Sequence, residues 1–230
     1  MSPVRALLLD AEGTLIQLRE PAEQTYRSLA ARHGYLIPEG ALPQRLFPAI
    51  RNRPILPETP LDPAAFAEFE LRAWRRLLAE NLGSWAGDDP FFHELFQFYG
   101  AGEAWACMPN ALPALAQARA KGIELAVVSN MDSRLPAILE SLELRPLLSA
   151  VYYPAESGRA KPDRALYLEA CRALGVAPAH ALYVGDRERD CLAGARQAGL
   201  AVLRYAPGSG DTEELHDCAE LLDRVAASGC

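Results

Sequence analysis

Five short and nearly unbroken apolar runs constrain this chain more than any other feature: residues 4–9, 123–129, 150–153, 181–185 and 200–205. Each has the length of a strand, and in most of them apolar positions follow one another instead of alternating. A strand with one face in water exposes every second residue, so continuous runs point to parallel strands covered on both faces. From residue 109 onward, helical periodicity fills the gaps. Asn110 is placed to cap a helix reaching Lys121, with Gly122 just past its end. Asp132 is placed to cap the next, which carries Leu135, Ile138, Leu139 and Leu142 on one face. Leu166, Ala170 and Leu174 line a third helix ended by Gly175, and residues 190–198 form a short fourth ended by Gly199. Strand and helix in alternation predict an α/β fold: a doubly wound, Rossmann-like parallel sheet.

Residues 17–108 break that rhythm. They hold no convincing strand, but amphipathic stretches at 22–33, 63–81 and 90–99. Pro-rich connections across 38–63 and a Gly/Asp turn at 83–90 separate them. The expectation is an all-α module inserted after the first strand, with residues 1–16 and 109–230 forming the α/β core. The insertion is rich in aromatic residues, among them Phe66, Trp74, Trp85, Phe91, Phe92 and Trp105, and most of these are expected to form its own small core. Arg51, Arg53, Arg72, Arg75 and Arg76 read as solvated helix faces.

Composition narrows the function classes. With 230 residues, half of them hydrophobic, the chain can bury a core without disulfides or a structural metal. A net charge of −7 and a pI near 5.2 argue against nucleic acid as a partner. No run approaches the ~18 apolar residues of a membrane helix, so no membrane partner is expected. The N-terminal apolar run before Asp10 is too short for a signal-peptide core. Cys107, Cys171, Cys191, Cys218 and Cys230 are scattered and show no CxxC spacing, which fits reduced thiols in the cytoplasm. His33, His93, His180 and His216 lack zinc-site spacing, and residues 208–211 lack the Gly-Lys-Ser/Thr core of a phosphate-binding P-loop.

The polar residues at the strand ends carry the chemistry. The first run ends at Asp10-Ala11-Glu12-Gly13-Thr14, the second at Ser129-Asn130, and the fourth at Gly185-Asp186. In open α/β sheets, ligands bind outside the carboxyl ends of the strands. Lys161, one of only two lysines in the chain, lies in a loop just before a helix on the same predicted edge. Each residue alone has an ordinary reading: Asp10 as a turn residue, Ser129 as a cap, Lys161 as a surface amine, Asp186 and Asp190 as helix caps. Together they form the set that phosphoryl transfer through an aspartyl-phosphate requires. A carboxylate nucleophile splits one displacement into two. Two carboxylates and a backbone carbonyl suit Mg²⁺, and a hydroxyl and an ammonium share the charge on the phosphoryl oxygens.

The order and spacing of these motifs resemble the haloacid dehalogenase superfamily. Asp10–Thr14 is similar to its first motif, Ser129 to its second, Lys161 to its third, and Gly185-Asp186 through Asp190 to its fourth. The insertion at 17–108 resembles that family's helical cap. The resemblance implies Asp10 as nucleophile and Mg²⁺ ligand, and Ser129 and Asn130 as substrate-binding residues. It implies that Lys161 bridges the nucleophile and the phosphoryl group, and that Asp186 is the second carboxylate ligand. Asp190 would support the metal shell, and the backbone carbonyl of Glu12 would complete it. It further implies a small phosphorylated substrate; for the assembly, a monomer or a homodimer is the expectation.

Glu12 departs from the family pattern, which usually places Asp there as the acid that protonates the leaving oxygen. Glutamate keeps the acid but adds a methylene, and a misplacement of ~1 Å can cost ~10²-fold. The expectation is a phosphatase that is slow or restricted to good leaving groups. The alternatives are a catalytically weak binding protein on the same fold and a 2-haloacid dehalogenase. The dehalogenase needs no Mg²⁺, and Gly185-Asp186 argues against it.

Overall fold

The computed structural model describes residues 3–88 and 90–227. Its strands, in chain order, are β1 (Ala6–Leu9), β2 (Ile16–Leu18), β3 (Trp105–Cys107), β4 (Glu124–Val128), β5 (Ala150–Tyr152), β6 (Ala181–Gly185) and β7 (Ala201–Arg204). Five of them form one parallel sheet in the order β5-β4-β1-β6-β7. The five apolar runs are these five strands: 181–185 coincides with β6, and the other four are trimmed by one or two residues at one end or both. β1 is central: Ala6, Leu7 and Leu8 are fully buried and Leu9 nearly so, which explains a run with no polar position in it. The chain passes from β1 to β4 and β5 on one side, then crosses to β6 and β7 on the other. β1 and β6 therefore flank the topological switch point, where such sheets open a crevice.

Contact along the chain divides the protein into two compact units. One combines the N-terminal residues through Gln17 with the chain from Ala106 onward, and the other spans Leu18–Trp105. In the first unit the helix Arg164–Ala173 packs on the sheet, and its Leu166, Tyr167, Ala170 and Cys171 share a buried cluster with Ala6, Leu8 and Tyr183. Asp163 caps this helix by accepting the Ala165 N–H at 2.9 Å. The glycines placed after three helices, Gly122, Gly175 and Gly199, all have positive φ.

The second unit is helical, with Ala22–Arg32, Phe47–Arg51, Pro63–Leu82 and Phe91–Gly100. Its own core joins Tyr26, Leu29, Leu42, Leu78, Phe91, Phe92 and Leu95, with Trp74, Trp85 and Phe96 packed against it. Some of the arginines are not simply solvated. Arg75 lies 4.3 Å over the Phe92 ring and donates to the Gly87 carbonyl, and Arg53 lies 4.8 Å over Trp74.

Three local expectations need correction. Residues 17–108 do contain strand: β2 pairs with β3 in a two-stranded ribbon, and each strand straddles a boundary between the units. Strands of three residues are too short to show a period, and their pairing joins positions far apart in sequence. The Pro-rich stretch 38–63 holds a helical turn at Leu42–Leu46 and the helix Phe47–Arg51, with Pro43 and Pro48 in their first turns, where a missing N–H costs nothing. Asn110 does not cap the helix Ala111–Ala120. Its φ is 57° and its amide donates to the Asp217 carboxylate, an acceptor more than 100 residues away. Asp132, by contrast, does act at the start of Leu135–Ser141, where its Oδ1 accepts the Arg134 N–H at 3.2 Å. It is buried and holds Arg134 through a short ion pair of 2.6 Å.

Candidate active site

Register aligns the strand ends. Leu9 of β1 pairs with Val127 of β4 and with Val184 of β6. Asp10, Ser129 and Asp186 therefore follow neighbouring strands at nearly one level, at the carboxyl edge of the sheet. Asp10 extends β1, and its N–H donates to the Val184 carbonyl at 2.9 Å. Its carboxylate is buried. Oδ1 takes the Lys161 ammonium at 2.6 Å and the Ala11 N–H at 2.8 Å. Oδ2 takes the Cys191 thiol at 2.9 Å, a weak donor that leaves this oxygen the less encumbered of the two.

Lys161 is as buried as its partner. Its Nζ also donates to the Tyr183 hydroxyl and to Cys191 Sγ, each at 3.2 Å. Burial alone would lower its pKa, but the Asp10 carboxylate and Cys191 beside it outweigh that and hold it raised, so the ammonium stays charged. Asn130 reaches across from the end of β4 and grips the Lys161 backbone in both directions. Its Oδ1 accepts the Lys161 N–H at 2.8 Å, and its Nδ2 donates to the Lys161 carbonyl at 3.0 Å. The structure thus gives Asn130 the part of positioning Lys161. Ser129 is buried, and its Oγ accepts the Met131 N–H at 3.2 Å, which leaves its own O–H to donate.

Asp186 is the residue that asks for a further partner. Its Oδ1 is buried and has no hydrogen bond. Burial, and then the charge of Asp10, raise its pKa above the usual carboxylate value. Gly13, at φ +82°, sits directly against it: a Cβ there would lie 2.6 Å from Asp186 Oδ2. A buried, unpartnered carboxylate oxygen beside a second carboxylate is the arrangement that a bound cation relieves, so the residues present fit a divalent metal. Side-chain donor atoms of Asp10, Asp186 and Cys191 lie within 4.8 Å of one another. The Glu12 carboxylate stands outside that group and is solvent-exposed, and its backbone bridges Ile16 in the turn after β1.

These motifs lie within the stretch 4–199, which matches the family model for haloacid dehalogenase-like hydrolase. The chain belongs to the haloacid dehalogenase-like hydrolase family. The bovine (Bos taurus) haloacid dehalogenase-like hydrolase domain-containing protein 3 is 29% identical over 86% of this chain and 80% of its own length. A phosphoserine phosphatase of Thermus thermophilus is 29% identical over 87% of this chain and 88% of its own length. Among solved structures, a haloacid dehalogenase-superfamily phosphatase from Thermococcus onnurineus aligns with a TM-score of 0.69 at 20% identity, covering 96% and 98% of the two chains. At that identity the structural likeness speaks for the fold alone.

Within the family frame, the fourth motif differs from expectation. Asp190, expected to support the metal shell directly or by orienting water, stands outside the group of Asp10, Asp186 and Cys191; it is half-exposed and bound to Arg187 at 2.6 Å. The chain leaves β6 through a π-helical turn, Glu188–Leu192, which turns Cys191 inward and Asp190 out. Sequence reasoning missed Cys191 and Tyr183. Cys191 was legible only as one of five scattered cysteines, and Tyr183 only as an interior residue of an apolar strand. Burial pushes the Cys191 thiol up to about 12, against the pull of Lys161, so Cys191 rests here as a neutral donor to Asp10.

Proposed function

We propose that this hydrolase is a phosphatase of small phosphorylated metabolites, working through an aspartyl-phosphate on Asp10 with Mg²⁺ as cofactor. The observation that carries this reading is the buried Asp10–Lys161 pair at 2.6 Å beside an Asp186 oxygen that lacks any hydrogen-bond partner. A carboxylate locked to an ammonium is a poor general base, but it is a well-oriented nucleophile. The phosphatase named above and a glyceraldehyde 3-phosphate phosphatase of Methanopyrus kandleri, 36% identical over 44% of this chain, support the same class.

Asp10 attacks phosphorus, and the bond to the leaving oxygen breaks as Glu12 delivers a proton to it. Water then gives its proton back to Glu12 and attacks the phosphorylated Asp10, releasing phosphate and restoring the carboxylate. Lys161 and the Ser129 hydroxyl balance the charge on the phosphoryl oxygens. Asp10, Asp186 and the Glu12 carbonyl would hold the metal, whose chemistry is to neutralise the anionic phosphoryl group. Residues 18–105 take the part of a cap. We place the protein in the cytoplasm, as a monomer or homodimer with no nucleic-acid or membrane partner. Among the described residues, no helix is long and apolar enough to cross a membrane.

Phosphate release from acetyl phosphate, an aryl phosphate and a sugar phosphate, with and without Mg²⁺, tests this. Wild type is expected to turn over the acyl and aryl esters, Asp10→Asn to release nothing, and Glu12→Asp to extend activity to the sugar phosphate. Silence of wild type on all three, with activity created only by Glu12→Asp, would replace the reading with that of a phosphate-binding protein. Silence of every form would overturn the site assignment.

A further inference from the structure

We propose that Cys191 turns the carboxylate pair into a mixed oxygen–sulfur cation site, which takes thiophilic divalent ions of the zinc class in competition with Mg²⁺. The proposal rests on the reading of Asp10 and Asp186 as the cation-facing pair. The thiol is built into that place. Cys191 is buried, its Sγ lies 2.9 Å from Asp10 Oδ2, and its donor atom falls within 4.8 Å of those of both carboxylates. Among the described residues, this is the group of such side chains close enough to share one ion. The Asp186 oxygen without a hydrogen bond is a second and independent sign that the site lacks a ligand.

The chemistry of the donor set decides which ion. Mg²⁺ asks for oxygen in near-octahedral array, and a thiol on one side offers it nothing. Zinc accepts thiolate and carboxylate together, with four ligands in a tetrahedron, and three protein ligands leave the fourth position open. On binding, the Cys191 S–H bond breaks, its proton passes to solvent, and a metal–sulfur bond forms without change of oxidation state. The hydrogen bond to Asp10 Oδ2 is given up in the same step, and that oxygen becomes available to the ion. Lys161, with Nζ 3.2 Å from Sγ, compensates the new negative charge on sulfur. A zinc-class ion would thus occupy the nucleophile itself, so trace zinc acts as an inhibitor of Mg²⁺-supported turnover.

The test adds Cd²⁺ to the full-length, metal-stripped protein and reads thiolate-to-metal charge-transfer absorption in the ultraviolet, with Zn²⁺ and Mg²⁺ affinities measured by calorimetry. The expected result is a band that saturates at one ion per chain in wild type and is absent in Cys191→Ser. That variant should also bind Zn²⁺ about tenfold or more weakly, at least the loss seen when an outer-shell partner is removed. Mg²⁺ affinity should change much less, and circular dichroism checks that the variant is folded. No band in wild type overturns the proposal whatever the variant does, and so does a band that survives Cys191→Ser. A band without phosphatase activity would leave this site standing and sink the proposed function. Phosphatase activity without a band would do the reverse.

Discussion

Asp10 and Lys161 depend on each other. Their side chains are almost fully buried and 2.6 Å apart, so removing either leaves a charge in the interior with its main partner gone. Breaking such a pair costs about 3–5 kcal/mol, far more than the pair contributes over an apolar replacement. Lys161→Met should therefore lose about that much stability in urea denaturation. Adding Asp10→Asn to it should recover part of the loss, and strictly additive losses would contradict the coupling. Glu12 works in the opposite regime. It is solvent-exposed, so Glu12→Asp should leave stability almost unchanged while altering chemistry. The expected gain in kcat/KM is about 10–100-fold on alkyl phosphates and small on aryl phosphates, since a positioned acid matters most for a basic leaving group. Equal gains on both would show that Glu12 does not act as the acid.

The elements that carry these residues have their own weak points. The helix Arg164–Ala173, which follows the Lys161 loop, begins at Asp163. The Ala165 N–H, and with it Arg159 at 2.9 Å, holds the Asp163 carboxylate below its ordinary 3.8. A depressed carboxylate stabilises the fold fully above its unfolded value and loses that contribution as pH falls through the folded one. Asp163→Ala should cost about 0.5–2 kcal/mol at neutral pH. The difference from wild type should shrink as pH falls below 3.8, and urea titrations at both conditions check it. At the turn after β1, Gly13 has φ +82° and no room for a Cβ beside Asp186. Gly13→Ala should displace the Asp186 carboxylate and weaken the rise in Tm on adding Mg²⁺ more than it lowers the Tm of the metal-free protein.

At the scale of the whole molecule, the five-stranded sheet brings two carboxylates together and leaves one oxygen of Asp186 without a partner. The metal-free fold bears that repulsion and desolvation, which predicts a trade between stability and binding. Asp186→Asn should raise the Tm of the metal-free protein, because it removes a partly buried charge next to Asp10. It should also abolish the increase in Tm expected of wild type on adding a divalent cation. Scanning calorimetry with and without the ion reads both effects. A lowered metal-free Tm would mean that Asp186 is held by interactions other than a cation.

The parallel sheet was legible in the sequence, because burial on both faces of β1, β4 and β6 keeps polar residues out of their interiors and leaves nearly unbroken apolar runs. The convergence of Asp10, Ser129 and Asp186 followed from the same runs, since each residue directly ends one of them, and Lys161 followed from its loop and its rarity. The ribbon of β2 and β3 was not legible, because three-residue strands have no period and their partners are distant. Asn110 has the chemistry of a helix cap, yet the distant Asp217 claims its side chain, and no local pattern reports such competition. The tertiary structure alone decided that Cys191, not Asp190, faces the carboxylates. One residue of rotation in the turn after β6 separates the two, and a sequence fixes the residue types in a turn long before it fixes which of them points inward.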